Sequence, residues 1–192
     1  MKPARLSTRR KRTRVAILDA ARRLWSERGV ADTSVEDLLV EARIARATFY
    51  DHFADKNDVA RAIVAGIWSN ADEMYAEFAA LPSIDEGAVR AWLTDAHRRW
   101  RIHYQEVSTV LHNLPIYLTR ESGLHSDAFV TILIGDGRHW RCPVDEARCR
   151  AHLLIVQLER AMLDFHSGTW RITEETLTAT LTDIWLRTTG NA

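Results

Sequence analysis

The chain is poor in the residues that break or staple a fold. It has two cysteines, four prolines and eight glycines in 192 residues. Cys142 and Cys149 are too few for a disulfide scaffold and suit a reducing cytoplasm. Scarce proline and glycine, few β-branched runs and abundant Ala, Leu, Arg and Glu argue against a strand-and-turn protein and predict an all-α fold of about nine helices. No run of about 18 apolar residues offers a membrane span. The N-terminus is basic and polar, without the apolar stretch of a secretory signal after it. No glycine-rich phosphate loop is present, and no Ser-His-Asp or paired-carboxylate set can be placed. An enzyme is therefore not expected, and neither is a cofactor. The competing enzymatic reading is acid–base chemistry by His97 or His103 in an apolar pocket. A chain of this length can form one large or two small domains without a disulfide or metal to hold them.

Net charge is lacking too, but the zero conceals an asymmetry. Residues 1–61 carry 14 Lys/Arg against 9 Asp/Glu, and residues 62–192 carry 12 against 17. Seven of the first 14 residues are basic and none is acidic. A basic end on an acidic body is the footprint of a protein that binds nucleic acid at one end. Residues 1–12 are expected to be a flexible basic arm that orders on phosphates.

Helical spacing of Val15, Ile17, Leu18, Ala21, Leu24 and Trp25 predicts a first helix from about Thr13 to Arg28, ended by Gly29. Thr33 and Ser34, with Glu36 and Asp37 three residues after each, offer a capped start for a short second helix to about Glu41. Residues 42–45 form a turn. A third short helix from about Arg46 to His52 puts Phe49 and Phe53, four apart, on one inward face. Asp55 caps a fourth helix that Pro82 stops. Two short helices across a tight turn make a helix-turn-helix, the module that lays its second helix in a DNA major groove. Arg46 is suited to guanine, Thr48 to phosphate or a thymine methyl, and Tyr50 and His52 to phosphate oxygens. Lys56 adds charge at a helix start. The expected organisation is an arm (1–12), a helix-turn-helix domain (13–60) and a ligand-binding and dimerisation domain (61–192).

The segment 34–56 resembles the DNA-binding segment of the TetR family of bacterial repressors, carried by Ala42, Ile44, Thr48, Phe49, Tyr50, His52, Phe53 and Lys56. The likeness covers about residues 14–64. It implies an operator-facing set of Ser34, Arg46, Ala47, Thr48, Tyr50, His52 and Lys56, with Tyr50 and Lys56 at phosphate-contacting positions. The chain departs from the family pattern twice. Arg43 stands at a turn position usually held by glycine, and Ala45 stands where a capping serine is common.

After Pro82 the sequence reads as helices with short breaks: Ile84 to Leu114, a helix opened by Pro115 to Leu118, His125 to Ile134 before Gly135-Asp136-Gly137, Asp145 to His166 after Pro143, and a last one capped by Thr173 and ending near Arg187. Seven tryptophans are many for this length. Any one of them is expected in a core, but several from different helices suit a mostly apolar pocket. Gln157, Glu159, His97 and Asn113 are its polar candidates. Leu158-Glu159-Arg160, Phe165, Gly168, Leu181, Ile184 and Trp185 resemble a mycobacterial member of the same family that has an aromatic-lined tunnel for apolar ligands. That likeness makes Trp92 and Trp185 the first pocket candidates, followed by Trp100, Tyr104, Phe129, Trp140 and Gln157. The last two helices carry the dimer in this family. Leu153, Leu154, Val156, Leu158, Ala161, Leu163, Leu177, Leu181 and Ile184 are more apolar residues than one helix face needs. A four-helix bundle from two chains would bury them, with Leu154, Leu158, Ala161, Leu177, Leu181 and Ile184 at its seam.

His139, Cys142, Cys149 and His152 have N/S donors, but their spacing matches none of the usual zinc patterns. A metal site is therefore not expected. The partners implied are double-stranded DNA carrying a palindromic operator, an apolar small molecule and a second copy of the chain. A pure interaction module using the acidic body remains the third reading.

Overall fold

A computed structural model describes residues 8–113 and 127–190, with only the backbone described for 105–113. Among the described residues there are eight helices and no strand. They are α1 (Thr8–Arg28), α2 (Val35–Ala42), α3 (Arg46–Tyr50), α4 (Lys56–Ala79), α5 (Glu86–Asn113), α6 (127–134), α7 (Val144–His166) and α8 (Glu174–Thr189). The helix expected to open at Pro115 lies outside the described residues. α1 starts at Thr8, earlier than expected, so residues 8–12 of the basic segment are helical. Arg and Lys are good helix formers, and nothing after Pro3 interrupts them.

Two compact units divide the described chain. The first holds the residues through Ile67 and the backbone of 105–113; the second holds Trp68–Tyr104 and the residues from 127 onward. α4 begins in the first and ends in the second.

The first unit packs α1, α2, α3 and the start of α4 around Ile17, Ala21, Trp25, Leu38, Phe49, Phe53, Val59 and Ile63. Its short helices are held by their ends. Ser34 Oγ accepts from Asp37 N–H (3.1 Å), and the Asp37 carboxylate accepts from Ser34 N–H (2.8 Å), a complete capping box. The Ser34 hydroxyl donating to that carboxylate (2.6 Å), then the Ser34 N–H, with Arg28 beside them, hold the Asp37 carboxyl down at about 2. At the other end Arg43 adopts a left-handed conformation (φ 53°). Its N–H reaches Val40 O (3.2 Å), and Ile44 N–H reaches Leu39 O (3.1 Å). This is a Schellman closure made without glycine. A left-handed residue with a Cβ costs about 1 kcal/mol, and the tight turn holds it there. α3 has no side-chain cap at Ala45, as the residue type foretells. At its far end, Arg14 Nη1 donates to the His52 carbonyl (3.4 Å) and Arg10 Nη2 to the Asp51 carbonyl (3.2 Å). Cations suit a helix C-terminus. The Arg14 guanidinium also lies over the Phe53 ring at 4.3 Å.

The second unit is the larger. Its core joins Tyr75 and Phe78 of α4, Trp92 and Leu93 of α5, Phe129 and Leu133 of α6, Leu154 and Leu158 of α7, and Leu181 and Trp185 of α8. Breaks fall where the residues demand them. The Asp85 carboxylate accepts from Ala88 N–H at the start of α5 (3.0 Å). Gly135 and Gly137 turn the chain at positive φ after α6, Pro143 starts α7, and Thr173 Oγ1 accepts from Thr176 N–H to start α8 (3.1 Å).

Candidate nucleic-acid interface

α3 is a five-residue helix whose inner face is spent on packing. Phe49 is fully buried and Phe53 nearly so, with ring centroids 6.1 Å apart. Burying two phenylalanines fixes which side chains remain outside. Arg46, Ala47 and Tyr50 are exposed, and Thr48 and His52 are half-buried. Tyr50 is 49% exposed, and its ring meets Phe49 edge-on at 5.4 Å, which fixes the direction of its hydroxyl.

The outward set is not a row of free donors. Arg46 is paired with Glu36 of α2, both well exposed, so meeting a base means trading a carboxylate for a guanine edge. Burial and the nearby Arg10 and Arg14 charges push the His52 imidazole below its usual range. Ser34 is exposed, but its hydroxyl is engaged by the Asp37 carboxylate and by Asp37 N–H.

Lys56 departs from its expected role. Its ammonium donates to the carbonyls of Val30 (3.0 Å), Ala31 (3.2 Å) and Thr33 (3.0 Å). An ammonium has three protons, so none is left for a phosphate in this geometry. The residue clamps the turn that follows α1 to the first turn of α4. Lys56→Met keeps the apolar stem and removes the clamp; it should cost about 2–3 kcal/mol, since three carbonyls lose a charged donor. Urea unfolding measures the loss, and the salt slope of DNA binding should stay as it was. A slope flattened by about one unit with stability intact would return Lys56 to the phosphate contacts.

In the second unit, Trp92, Phe129, Trp140 and Trp185 are all buried. Trp92 and Trp185 come together at 4.7 Å, with Phe78 at 5.0 Å from the first and 4.9 Å from the second. Trp92 Nε1 donates to Met74 O (2.9 Å), whereas the indole nitrogens of Trp140 and Trp185 have no partner. As packed, Trp92 and Trp185 fill each other's space. Trp100, Tyr104 and Gln157 are half-buried; Tyr104 faces His166 at 5.9 Å. An open cleft of about 330 Å³ runs along α5 past Asp95, His97, Arg98 and Arg101 to Glu174, and no indole lines it.

Tyr75 lies on the apolar face of α4, where helical spacing with Met74 and Phe78 places it. It is 1% exposed, with its ring 5.4 Å from Phe129 and 6.5 Å from Trp92. The charge of Glu159, reaching it from α7, and above all its burial push the Tyr75 hydroxyl far up. Burial pushes the Glu159 carboxyl up to about 7. His97 is 1% exposed, with neither ring nitrogen bonded, and packs against Phe165 (5.3 Å) and His166 (5.9 Å). Burial pushes both imidazoles down.

The seam residues need a correction. Leu154, Leu158, Ala161, Leu177 and Leu181 are buried within their own chain, and Ile184 is half-buried. α7 leaves Leu153 (61% exposed) and Val156 (49%) outward instead. Apolar residues on two sides of one helix do not tell from sequence which side is inside. His139 is buried, Cys142 half-buried, and Cys149 and His152 exposed; both thiols are free. Among the described residues no helix is long and apolar enough to cross a membrane.

Comparison with known proteins agrees with this geometry. Residues 17–63 match the family model "Bacterial regulatory proteins, tetR family". A stretch of 68 residues is 40% identical to the HTH-type transcriptional regulator AcrR of Shigella flexneri, covering 35% of this chain and 32% of that protein. The chain thus spans about a third of that relative's length. Among solved structures, the fatty acid degradation regulator FadR of Bacillus halodurans superposes with a TM-score of 0.68 at 15% identity, over 93% of this chain and 95% of that one. NalD of Pseudomonas aeruginosa, the secondary repressor of the MexAB-OprM multidrug efflux pump, superposes with a TM-score of 0.65 at 20% identity, over 93% and 95%. At such identities these likenesses speak for the fold alone. Over residues 17–63 the head of this chain matches the bacterial tetR regulatory family, and its fold is the one seen in solved TetR-family regulators.

Proposed function

We propose that the protein is a homodimeric transcriptional repressor that places α3 of each subunit in a major groove and responds to an apolar small molecule bound in the body. The observation that carries this reading is the outward face of α3. Phe49 and Phe53 anchor the helix, so Arg46, Ala47, Thr48 and Tyr50 project as one set beside the basic start of α1. The operator is an imperfect palindrome with half-sites about one helical turn, roughly 34–36 Å, apart. The likeness to the transcriptional regulator AcrR and to the repressor NalD supports this class. Dimerisation uses α7 and α8, with exposed Leu153 and Val156 and half-buried Ile184 as the apolar contacts. The effector acts by its difference in affinity for two positions of α4, the helix that runs from the head into the body.

The test is selection of source-genome fragments on the purified protein at near-physiological salt, followed by sequencing. One sharply enriched palindrome is the expected result; diffuse, salt-labile retention alone would refute the operator reading. On that site, Tyr50→Phe should weaken binding evenly across sequences. Arg46→Ala should relax preference at one base position, at a cost of about 1–3 kcal/mol.

A further inference from the structure

We propose that Glu36 sets the sequence specificity of the head by holding Arg46 until a guanine replaces it. The inference rests on the operator reading above and adds a residue to it. Glu36 is the second residue of α2 and Arg46 the first of α3, and their side chains pair across the helix-turn-helix. The pair lies on the open face, with 60% of the arginine and 59% of the glutamate side chain exposed. Among the described residues Arg46 has no other partner, and no other ion pair of the head includes a residue of the outward set. Local bonds fix both ends of the arrangement. The Ser34–Asp37 capping box holds the first turn of α2. Arg43 at φ 53°, with Ile44 N–H on Leu39 O (3.1 Å), holds the turn into α3. The backbone therefore delivers Glu36 to Arg46.

An exposed ion pair adds little to stability. Its effect is on which acceptor can take Arg46. A phosphate oxygen that took the guanidinium would leave a bare carboxylate against a polyanionic backbone. Kept together, the two side chains carry no net charge. The bases differ in what they return. Guanine offers two acceptors, O6 and N7, to one guanidinium. Adenine sets a donor beside its acceptor, thymine offers one acceptor and a methyl, and cytosine offers a donor. Only guanine replaces the carboxylate with a bidentate bond. The freed carboxylate can then accept from a cytosine amine within its reach. Glu36 thus lowers affinity for wrong sequences more than for the right one, and that difference is specificity.

The experiment measures binding of the full-length protein to the enriched fragment and to an unrelated duplex by fluorescence anisotropy, over a series of salt concentrations. Glu36→Gln keeps the shape of the side chain and removes its charge. It should tighten binding to the unrelated duplex by at least about three-fold and change the enriched fragment little, so the specificity ratio falls by about the same factor. The salt slope on the unrelated duplex should steepen by about one unit, because Arg46 then reaches a phosphate. In an Arg46→Ala background, Glu36→Gln should leave that slope as it was. A slope that steepens there too, or equal tightening on both duplexes, overturns the inference, since Glu36 would then act as a plain repulsive charge. Weaker binding to both duplexes also overturns it, because that is the result if Glu36 serves only the first turn of α2. Diffuse retention of fragments by the parent protein refutes the operator reading and this inference with it. An unchanged ratio in a parent that does select its site overturns this inference alone.

Discussion

Trp185→Ala is expected to destabilise the body by about 3–5 kcal/mol, the range for truncating a buried aromatic to alanine. Trp185 is fully buried on α8 and touches Phe78 of α4 and Trp92 of α5. One truncation therefore opens a void where three helices meet. Its indole nitrogen has no hydrogen-bond partner, so the loss is one of packing and strands no polar group. That makes a second variant informative. Trp185→Phe keeps most of the ring contact and should cost only about 1–2 kcal/mol. Urea unfolding followed by far-UV circular dichroism measures both. An alanine variant that loses less than about 1 kcal/mol would mean that Phe78 and Trp92 close over the gap.

The second expected result concerns Glu159 and has a sign fixed by proton linkage. Burial raises its carboxyl from 4.5 to about 7. Between those values the folded chain holds a proton that the unfolded chain has released. Stability from this group is therefore greatest below about 4.5, falls as pH rises towards about 7, and stays low above it. Tyr75, the titratable group facing it, stays neutral throughout this window because its own hydroxyl is pushed far up. Glu159→Gln removes the titration. Relative to the parent, the variant should be nearly unchanged at about pH 4.5 and more stable by about 2–3 kcal/mol at about pH 8, since one pKa unit is about 1.4 kcal/mol. Unfolding both proteins at the two pH values isolates the effect, because every other group cancels. A difference that does not change with pH would show that the carboxyl titrates normally and reaches solvent.

The head was legible residue by residue because its determinants are local. Ser34 with Asp37 sets one helix start, Phe49 and Phe53 set the inward face of α3, and of the two courses open to Arg43, a left-handed residue or a reshaped turn, the chain takes the first. Each of these needs only neighbours within about five residues, the range over which caps and helical spacing act. The body was legible as a succession of helices but not as a site. Seven tryptophans suggested an indole-lined pocket, yet Trp92 and Trp185 pack on each other, and the indole nitrogens of Trp140 and Trp185 are buried without a partner.

Composition and periodicity alone determined that the chain is helical, where its helices break, and which end is basic. They also settled which residues of α3 face outward, because the inner face of a short helix follows from two phenylalanines four apart. Three matters waited for the tertiary structure. Lys56 became a clamp because the turn after α1 brings three carbonyls within reach of its ammonium. The apolar residues of α7 divided into an inside (Leu154, Leu158, Ala161) and an outside (Leu153, Val156), since which flank is buried depends on where the other helices lie. Glu159 gained its raised carboxyl from burial in the body, and its charge reaches Tyr75 of α4, neither of which spacing within one helix reports. Hydrogen bonds and burial of this kind depend on distances in space, and sequence spacing reports those only within a single helix.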